Sequence, residues 1–99
     1  MIGGTEICGK YMKTKHFELR QAQRKIPDAQ VILALQYGRR FYEGEDRVYF
    51  LGRKHLPNGL DSNMVHRANG TVVVVGVRGE LLTTYRNPRF IRELRRRQS

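Results

Sequence analysis

Four consecutive valines, Val72–Val75, constrain the fold of this 99-residue chain more than any other feature. β-Branched residues favour strands, and a strand this apolar is unsuited to a solvent-exposed sheet edge. The run therefore predicts a central strand of a sheet. A length of 99 residues fits one domain, because a second hydrophobic core needs more chain.

Helices are predicted before Arg39, where the apolar period is about 3.6 residues. Thr14 can cap a first helix of residues 15–25, and Pro27 ends it. A second helix then runs to Tyr37, and Gly38 stops it. The predicted buried stripe of the first helix consists of Leu19, Ala22 and Ile26.

After Arg39 the period changes to two, which predicts strands. These predicted strands cover residues 39–42, 47–53, 62–68, 71–77 and 80–86. Asn69-Gly70 indicates a hairpin between the third and fourth of them. Asn87-Pro88 then begins a final helix, which Phe90, Ile91 and Leu94 dock on the core.

The predicted fold class is α+β, with two N-terminal helices, an antiparallel meander of four to five strands and a C-terminal helix. Residues 1–13 are predicted to be a flexible N-terminal segment. Residues 14–99 form a single domain with an Arg-rich C-terminal helix.

The net charge of +10 is distributed unevenly along the chain. Residues 1–26 carry +4, residues 27–85 carry +1 and residues 86–99 carry +5, with fourteen Arg against five Lys. Arg binds phosphate in bidentate fashion, so this pattern favours a polyanionic partner, above all nucleic acid. The alternatives are basic tails that keep the protein soluble or that dock on an acidic protein.

A first candidate site lies on the first helix, where His16, Arg20, Gln23 and Arg24 fall on adjacent turns of one side. An imidazole can transfer protons, and neighbouring guanidinium groups can hold a phosphate and stabilise its developing charge. This set suits cleavage of a phosphodiester by the ribose 2′-hydroxyl without a metal. The alternative is a solvated helix face.

A second candidate site is the end of the last strand, where Thr84, Tyr85 and Arg86 offer polar groups for a phosphate. The alternative is the ordinary strand propensity of Thr and Tyr. Aromatic residues also stand beside Arg at 39–42 and 47–50, a pattern that suits base stacking or, in the alternative, core packing.

The sequence predicts no metal site, no cofactor and no membrane-spanning segment. His55 and His66 lie eleven residues apart and lack a suitable carboxylate, and Cys8 lacks a local His partner. One cysteine allows no internal disulfide. No apolar run approaches the length of a membrane span, and no signal-peptide pattern opens the chain.

The segment His16–Ile26, with Arg four and eight residues after the His, resembles the opening of the bacterial domain-of-unknown-function family 4258. The closing strand of that family, ending in Thr-x-Tyr-Arg, is similar to Thr83–Arg86. The resemblance covers about residues 14–87. The chain departs from the family pattern at Lys25, where Gly is usual, and at Pro27, where a Ser or Thr cap is usual.

The resemblance implies a RelE-like two-layer fold, related to the RelE/ParE toxins and colicin-D-like nucleases, many of them metal-independent ribonucleases. It implies a cleft between the first helix and last strand that contains His16, Arg20, Arg24, Thr84, Tyr85 and Arg86. We expect His16 to act as acid or base, Thr84 or Tyr85 to orient the 2′-hydroxyl or phosphate, and the guanidinium groups to hold the phosphate. We expect the C-terminal helix to grip the RNA backbone through Arg89, Arg92 and Arg96.

The predicted function is therefore a small cytoplasmic RNA-binding protein, a metal-independent endoribonuclease of toxin type with an acidic antitoxin or immunity partner. Two alternatives stay open at this point. One is a non-catalytic nucleic-acid-binding module on the same fold. The other is a domain that binds an acidic partner protein through its Arg-rich tail.

Overall fold

A computed structural model describes residues 6, 7 and 9–98 of the chain. Its helices are α1 (Lys15–Gln23), α2 (Asp28–Tyr37), α3 (Ser62–Ala68) and α4 (Phe90–Gln98), with a 3-10 turn at Arg53–His55. Its strands are β1 (Glu6–Ile7), β2 (Tyr11–Lys13), β3 (Arg39–Glu43), β4 (Asp46–Leu51), β5 (Thr71–Val75) and β6 (Glu80–Arg86). The predicted α+β class is confirmed.

The sheet is mixed rather than a pure meander. Its strand order is β1-β2-β6-β5-β4-β3. The strands β3 to β6 pair antiparallel in chain order, without the strand predicted at 62–68, whereas β2 pairs in parallel with β6. The valine strand β5 lies between β4 and β6, so its predicted central position is confirmed.

The predicted flexible segment contributes to this sheet. Ile7 and Tyr11 are buried in the main core, and Met12 pairs with Glu80 of β6. Residues 1–5, together with Cys8 and its predicted lack of reactivity, lie outside the described residues.

Residues 62–68 were the main error of the strand prediction, because they form helix α3. The carboxylate of Asp61 accepts hydrogen bonds from the backbone N–H of Asn63 (2.6 Å) and Met64 (3.3 Å), which caps the helix. The predicted Asn69-Gly70 hairpin is therefore also wrong. Gly70 has φ of +94° and connects α3 to β5, where an added Cβ would lie 2.8 Å from the backbone nitrogen of Pro88.

The predicted apolar stripe of α1 is also wrong in part. Phe17 is fully buried, whereas Leu19 is 53% exposed. The hydroxyl of Thr14 donates to the carbonyl oxygen of Leu81 (2.7 Å) and accepts from the backbone N–H of Phe17 (3.1 Å). The helix therefore begins against β6, and this contact turns Phe17 toward the sheet.

Alternation along the strands divides the core into two clusters on opposite sheet faces. One cluster joins Val73 and Val75 to residues of α1, α2 and α3. The other joins Val72 and Val74 to Phe90, Ile91 and Leu94 of α4, as predicted for these three residues. The helix α4 therefore covers the face of the sheet that lies opposite to α1, α2 and α3.

A bulge in β6 decides which side chains reach each face. Val74 pairs with Thr83 but Val75 pairs with Leu81, so one extra residue is accommodated in β6. The predicted alternation is kept from residue 83 to 86, and Leu81 joins the core under α1. The side chain of Thr84 therefore lies on the α1 face and that of Tyr85 on the α4 face.

Candidate functional site: a basic cleft

The first wall of the cleft is the end of α1. The backbone N–H of Ile26 donates to the carbonyl of Gln21 (3.0 Å) and that of Lys25 donates to Ala22 (3.3 Å), which is the Schellman pattern. Lys25 occupies the left-handed position of this motif with φ of 53°, where glycine is favoured. This turn buries Ile26 and leaves the side chains of Arg24 and Lys25 at the surface.

The second wall is formed by the end of α3 and the end of β6. Arg86 donates from Nε to the carbonyl of Asn69 (2.8 Å) and from Nη2 to that of His66 (3.1 Å). Carbonyl groups at a helix C-terminus carry partial negative charge, so the guanidinium group is held in a fixed position. Arg86 thus ties β6 to the last turn of α3.

Between the two walls lies a cavity of about 230 Å³ that is rich in positive charge. It is lined by Arg24, Lys25, Ile26, Gln30, His66, Arg67 and Arg86, which we call the basic cleft. Arg24 donates from Nη1 to the carbonyl of Thr84 (3.0 Å). Among the described residues, the ion pairs are Lys13–Asp28 and Arg97–Glu43, so the four cations of the cleft lack a carboxylate partner.

The arrangement suits a phosphate group. Two guanidinium groups are oriented by backbone carbonyls. Because these carbonyls are neutral, the positive charge of each guanidinium group is not compensated by a carboxylate. Two further cations and an imidazole line the same cavity. An anion bound there exchanges its water shell for several charge-assisted hydrogen bonds.

The structure brings only two of the predicted site residues into this cleft, Arg24 and Arg86. His16 is exposed and Arg20 partly exposed on α1, outside the residues that line the cleft. Arg20 donates from Nη1 to the side-chain oxygen of Gln23 (2.8 Å). The predicted helix-side set is therefore present on α1, but Arg24 is its member that reaches the last strand.

Thr84 and Tyr85, the predicted catalytic residues of the last strand, lie apart from each other. Thr84 is fully buried, and its hydroxyl donates to the carbonyl of Val72 (2.8 Å), so it supports the sheet. Tyr85 packs in the α4 cluster. Burial, and secondarily the charge of Glu43, raises the pKa of the Tyr85 hydroxyl, which therefore stays protonated at neutral pH.

The predicted RNA-binding residues Arg92 and Arg96 of α4, and Arg89 just before it, are exposed on the other side of the sheet. Arg97 of the same helix approaches Glu43 of β3, with Nη1 and Oε2 4.0 Å apart. The basic cleft and the basic face of α4 therefore do not form one continuous surface, although both begin near the end of β6.

Sequence reasoning missed Lys25, His66 and Arg67 as site residues. The strand prediction for 62–68 hid the last two. Recognition of Asp61 as a helix cap places His66 and Arg67 in the last turn of α3, next to Asn69. Lys25 was noted only as a departure from a glycine position, and the left-handed backbone found there accounts for that preference.

A second histidine, His55, lies away from the cleft. Its Nδ1 accepts a hydrogen bond from the backbone N–H of Gly52 (2.9 Å), and its ring meets Phe50 edge-on at 6.2 Å. Burial, followed by the charges of Lys54 and Arg39, lowers the pKa of His55. Its ring is therefore neutral at physiological pH, which suits a structural role.

Within residues 6, 7 and 9–98, no three His, Asp or Glu side chains converge as metal ligands. No helix in this part of the chain has the length and hydropathy needed to cross a lipid bilayer. Comparisons of the chain with protein-family models, with curated proteins and with solved structures found no match. The function is therefore inferred from the chain's own residues.

Proposed function

We propose that the chain is an RNA-binding protein and that the basic cleft holds a phosphate of the RNA backbone. The observation that carries this proposal is that four cations, Arg24, Lys25, Arg67 and Arg86, line one cavity. Among the described residues, none of the four forms an ion pair with a carboxylate. Contacts to phosphate dominate the affinity of nucleic-acid-binding proteins and position the strand.

RNA is favoured over an isolated anion by two features that lie outside the cleft. The Arg side chains of α4 form a second positively charged surface on the other face of the sheet, and two such surfaces on one small domain attract a polyanion. At the β3 edge, Tyr42 is 65% exposed with the guanidinium of Arg40 5.5 Å from its ring. Exposed aromatic rings beside Arg stack on unpaired bases, which single-stranded RNA offers. A cytoplasmic location accords with such a ligand.

The test is RNA binding by fluorescence anisotropy, with a labelled single-stranded RNA in EDTA. Arg86→Gln is compared with Arg78→Gln, because Arg78 is equally charged and exposed but precedes the opposite end of β6. We expect Arg86→Gln to weaken binding about tenfold and Arg78→Gln to weaken it less than twofold. Equal effects of the two variants would overturn the proposed site, and RNA affinity absent in wild type would favour an acidic protein partner.

Metal-independent cleavage of the bound RNA is a second candidate, favoured by the imidazole of His66 in the same cavity as the cations. The ribose 2′-oxygen attacks phosphorus and gives its proton to His66, and the departing 5′-oxygen takes a proton from water. The products are a 2′,3′-cyclic phosphate and a 5′-hydroxyl. Guanidinium groups stabilise the charge that develops on the phosphate.

The two histidines distinguish this route from the one expected for α1. His66→Asn is predicted to abolish EDTA-resistant cleavage and keep RNA affinity within about threefold, whereas His16→Asn is predicted to keep the rate. If His16→Asn abolishes cleavage and His66→Asn does not, the catalytic residues are His16 and Arg20 on α1, and not His66. Absence of cleavage in wild type would leave a binding module.

A further inference from the structure

A larger cavity opens directly beside the basic cleft, among α1, α2 and α3. Its volume is about 630 Å³. It shares Lys25, Ile26, Gln30 and Arg67 with the cleft. The two cavities therefore adjoin, and a ligand with an anionic group in the cleft has room to extend into this second cavity, which we call the helical pocket.

The helical pocket differs chemically from the cleft. Apolar side chains line much of it: Ala22, Ile26, Pro27 and Met64. Carboxylate and amide groups stand beside them, so positive charge does not dominate. An apolar cavity with a few fixed polar groups is the arrangement that binds a planar heterocycle.

Hydrogen bonds orient two of the polar groups, Asp28 and Gln21. The Oδ1 atom of Asp28 accepts from Nζ of Lys13 (2.8 Å) and from Nε2 of Gln21 (2.7 Å). Because the amide nitrogen of Gln21 is used, its oxygen is left as an acceptor. These hydrogen bonds, that from Lys13 foremost, lower the pKa of Asp28 and keep it ionised. Gln30, 5% exposed, adds a carboxamide at the junction of the two cavities.

We propose that the helical pocket and the basic cleft together form a guanine nucleotide subsite, with the base in the pocket and its phosphate in the cleft. Guanine offers two adjacent donors, N1–H and N2–H₂, on its Watson–Crick edge. These match the acceptors that Asp28 and Gln21 present, whereas uracil and adenine offer fewer donors at that edge. The inference rests on the proposed function and names the base that the RNA site selects.

The experiment titrates ¹⁵N-labelled protein with 5′-GMP, 5′-AMP, 5′-UMP and inorganic phosphate, followed by NMR chemical shifts. We expect GMP to bind about tenfold more tightly than AMP or UMP, as a well-placed pair of hydrogen bonds allows. We also expect the side-chain amide signal of Gln21, which lines the pocket and not the cleft, to shift with GMP and not with phosphate. Equal affinities for the three nucleotides would overturn the inference.

Two variants locate the effect in the pocket. Ala22→Leu fills the pocket at an exposed, helix-compatible position, and Asp28→Asn replaces an acceptor by a donor while it keeps the size of the side chain. Both are expected to remove the preference for GMP and to leave phosphate binding unchanged. Retention of the preference in both would also overturn the inference.

Failure of the subsite is distinguishable from failure of the proposed function. Loss of phosphate binding in Arg86→Gln, together with equal affinities for all three nucleotides, overturns the guanine subsite and leaves the phosphate site standing. Phosphate shifts that Arg86→Gln does not change overturn the phosphate site itself.

Discussion

Two Arg-rich regions of this protein carry similar charge and differ in how that charge is held. In the basic cleft, Arg24 and Arg86 are oriented by three backbone carbonyls around a concave surface. Along α4, the exposed side chains of Arg92 and Arg95, with Arg89 just before the helix, line a wider depression of about 640 Å³, and no hydrogen bond or ion pair among the described residues orients these three guanidinium groups. Preorganised donors lose less side-chain entropy when an anion binds, so similar charge gives more affinity in the cleft.

The two regions also differ in what supports them. The cleft is built from α1, α3 and β6, which meet around the larger core cluster. The helix α4 is docked mainly by Phe90, whose ring stacks on Phe50 at 5.3 Å and meets Phe41 at 5.5 Å. Phe90, with Ile91 and Leu94 of the same cluster, therefore holds the second basic region against the sheet.

The largest expected effect comes from Phe90→Ala, which removes this anchor. We expect the free energy of unfolding in urea to fall by about 3–5 kcal/mol, the usual cost of a buried Phe. Hydrogen exchange should show lost protection in α4 before α1. Arg92→Ala on the exposed side of α4 is the control, and a loss below about 1 kcal/mol for Phe90→Ala would contradict the anchoring role.

The next effect compares the two regions at equal charge. Arg24→Gln/Arg86→Gln is expected to weaken RNA binding about 100-fold, because two charge-assisted hydrogen bonds are lost. Arg92→Gln/Arg95→Gln removes the same charge from α4 and is expected to weaken binding less than tenfold, an effect that fades as salt rises. Anisotropy at several KCl concentrations measures both. Equal losses at all salt concentrations would remove the distinction between the regions.

A smaller effect separates affinity from stability within the cleft. Lys25→Gly relieves a left-handed backbone and removes one cation, so we expect a gain of about 1 kcal/mol, or about 5 °C in Tm, with weaker RNA binding. Lys25→Ala removes the same cation and keeps the strained backbone, so its Tm should not rise. A lower Tm for Lys25→Gly would show that the Lys25 side chain stabilises the fold.

The smallest effect concerns His55, on the α4 side. Its pKa is lowered in the folded state, so the unfolded chain binds a proton more readily. Stability is therefore fully present above the unfolded pKa of about 6.5 and falls as the pH drops toward the lower folded value. His55→Asn keeps an acceptor for the Gly52 N–H and should flatten this part of the pH profile, measured by urea unfolding from pH 5 to 8. If His55→Asn leaves the pH dependence of the free energy of unfolding unchanged, other titratable groups cause that dependence.

Local signals predicted most of the elements correctly. Thr14, Gly38 and Asn87 mark helix boundaries close to those observed, since capping depends on a few neighbouring atoms. The strand prediction for residues 62–68 was wrong because the apolar spacing of this seven-residue run fits both the helical and the strand period. The cap formed by Asp61 favours the helix over the strand, and the helix in turn determines the position of His66.

The candidate site was predicted less completely than the fold. Arg24 and Arg86 were predicted together, and they line one cavity. The bulge in β6 lies before Thr83, so Thr84 and Arg86 stay on the same face of the sheet, as predicted. The burial of Thr84 was not predicted, because it depends on the elements that pack over the sheet. Whether a polar strand residue faces solvent or a helix depends on which elements cover it.

By itself, the sequence determined the central strand, the helices around Pro27 and the concentration of charge at the two ends of the chain. These follow from side-chain period, backbone stereochemistry and composition, which act over a few residues. Only the tertiary structure decided that α4 covers the opposite face of the sheet and that Arg24, His66 and Arg86 meet. These three residues come from distant segments, and only strand register and helix packing bring their side chains together.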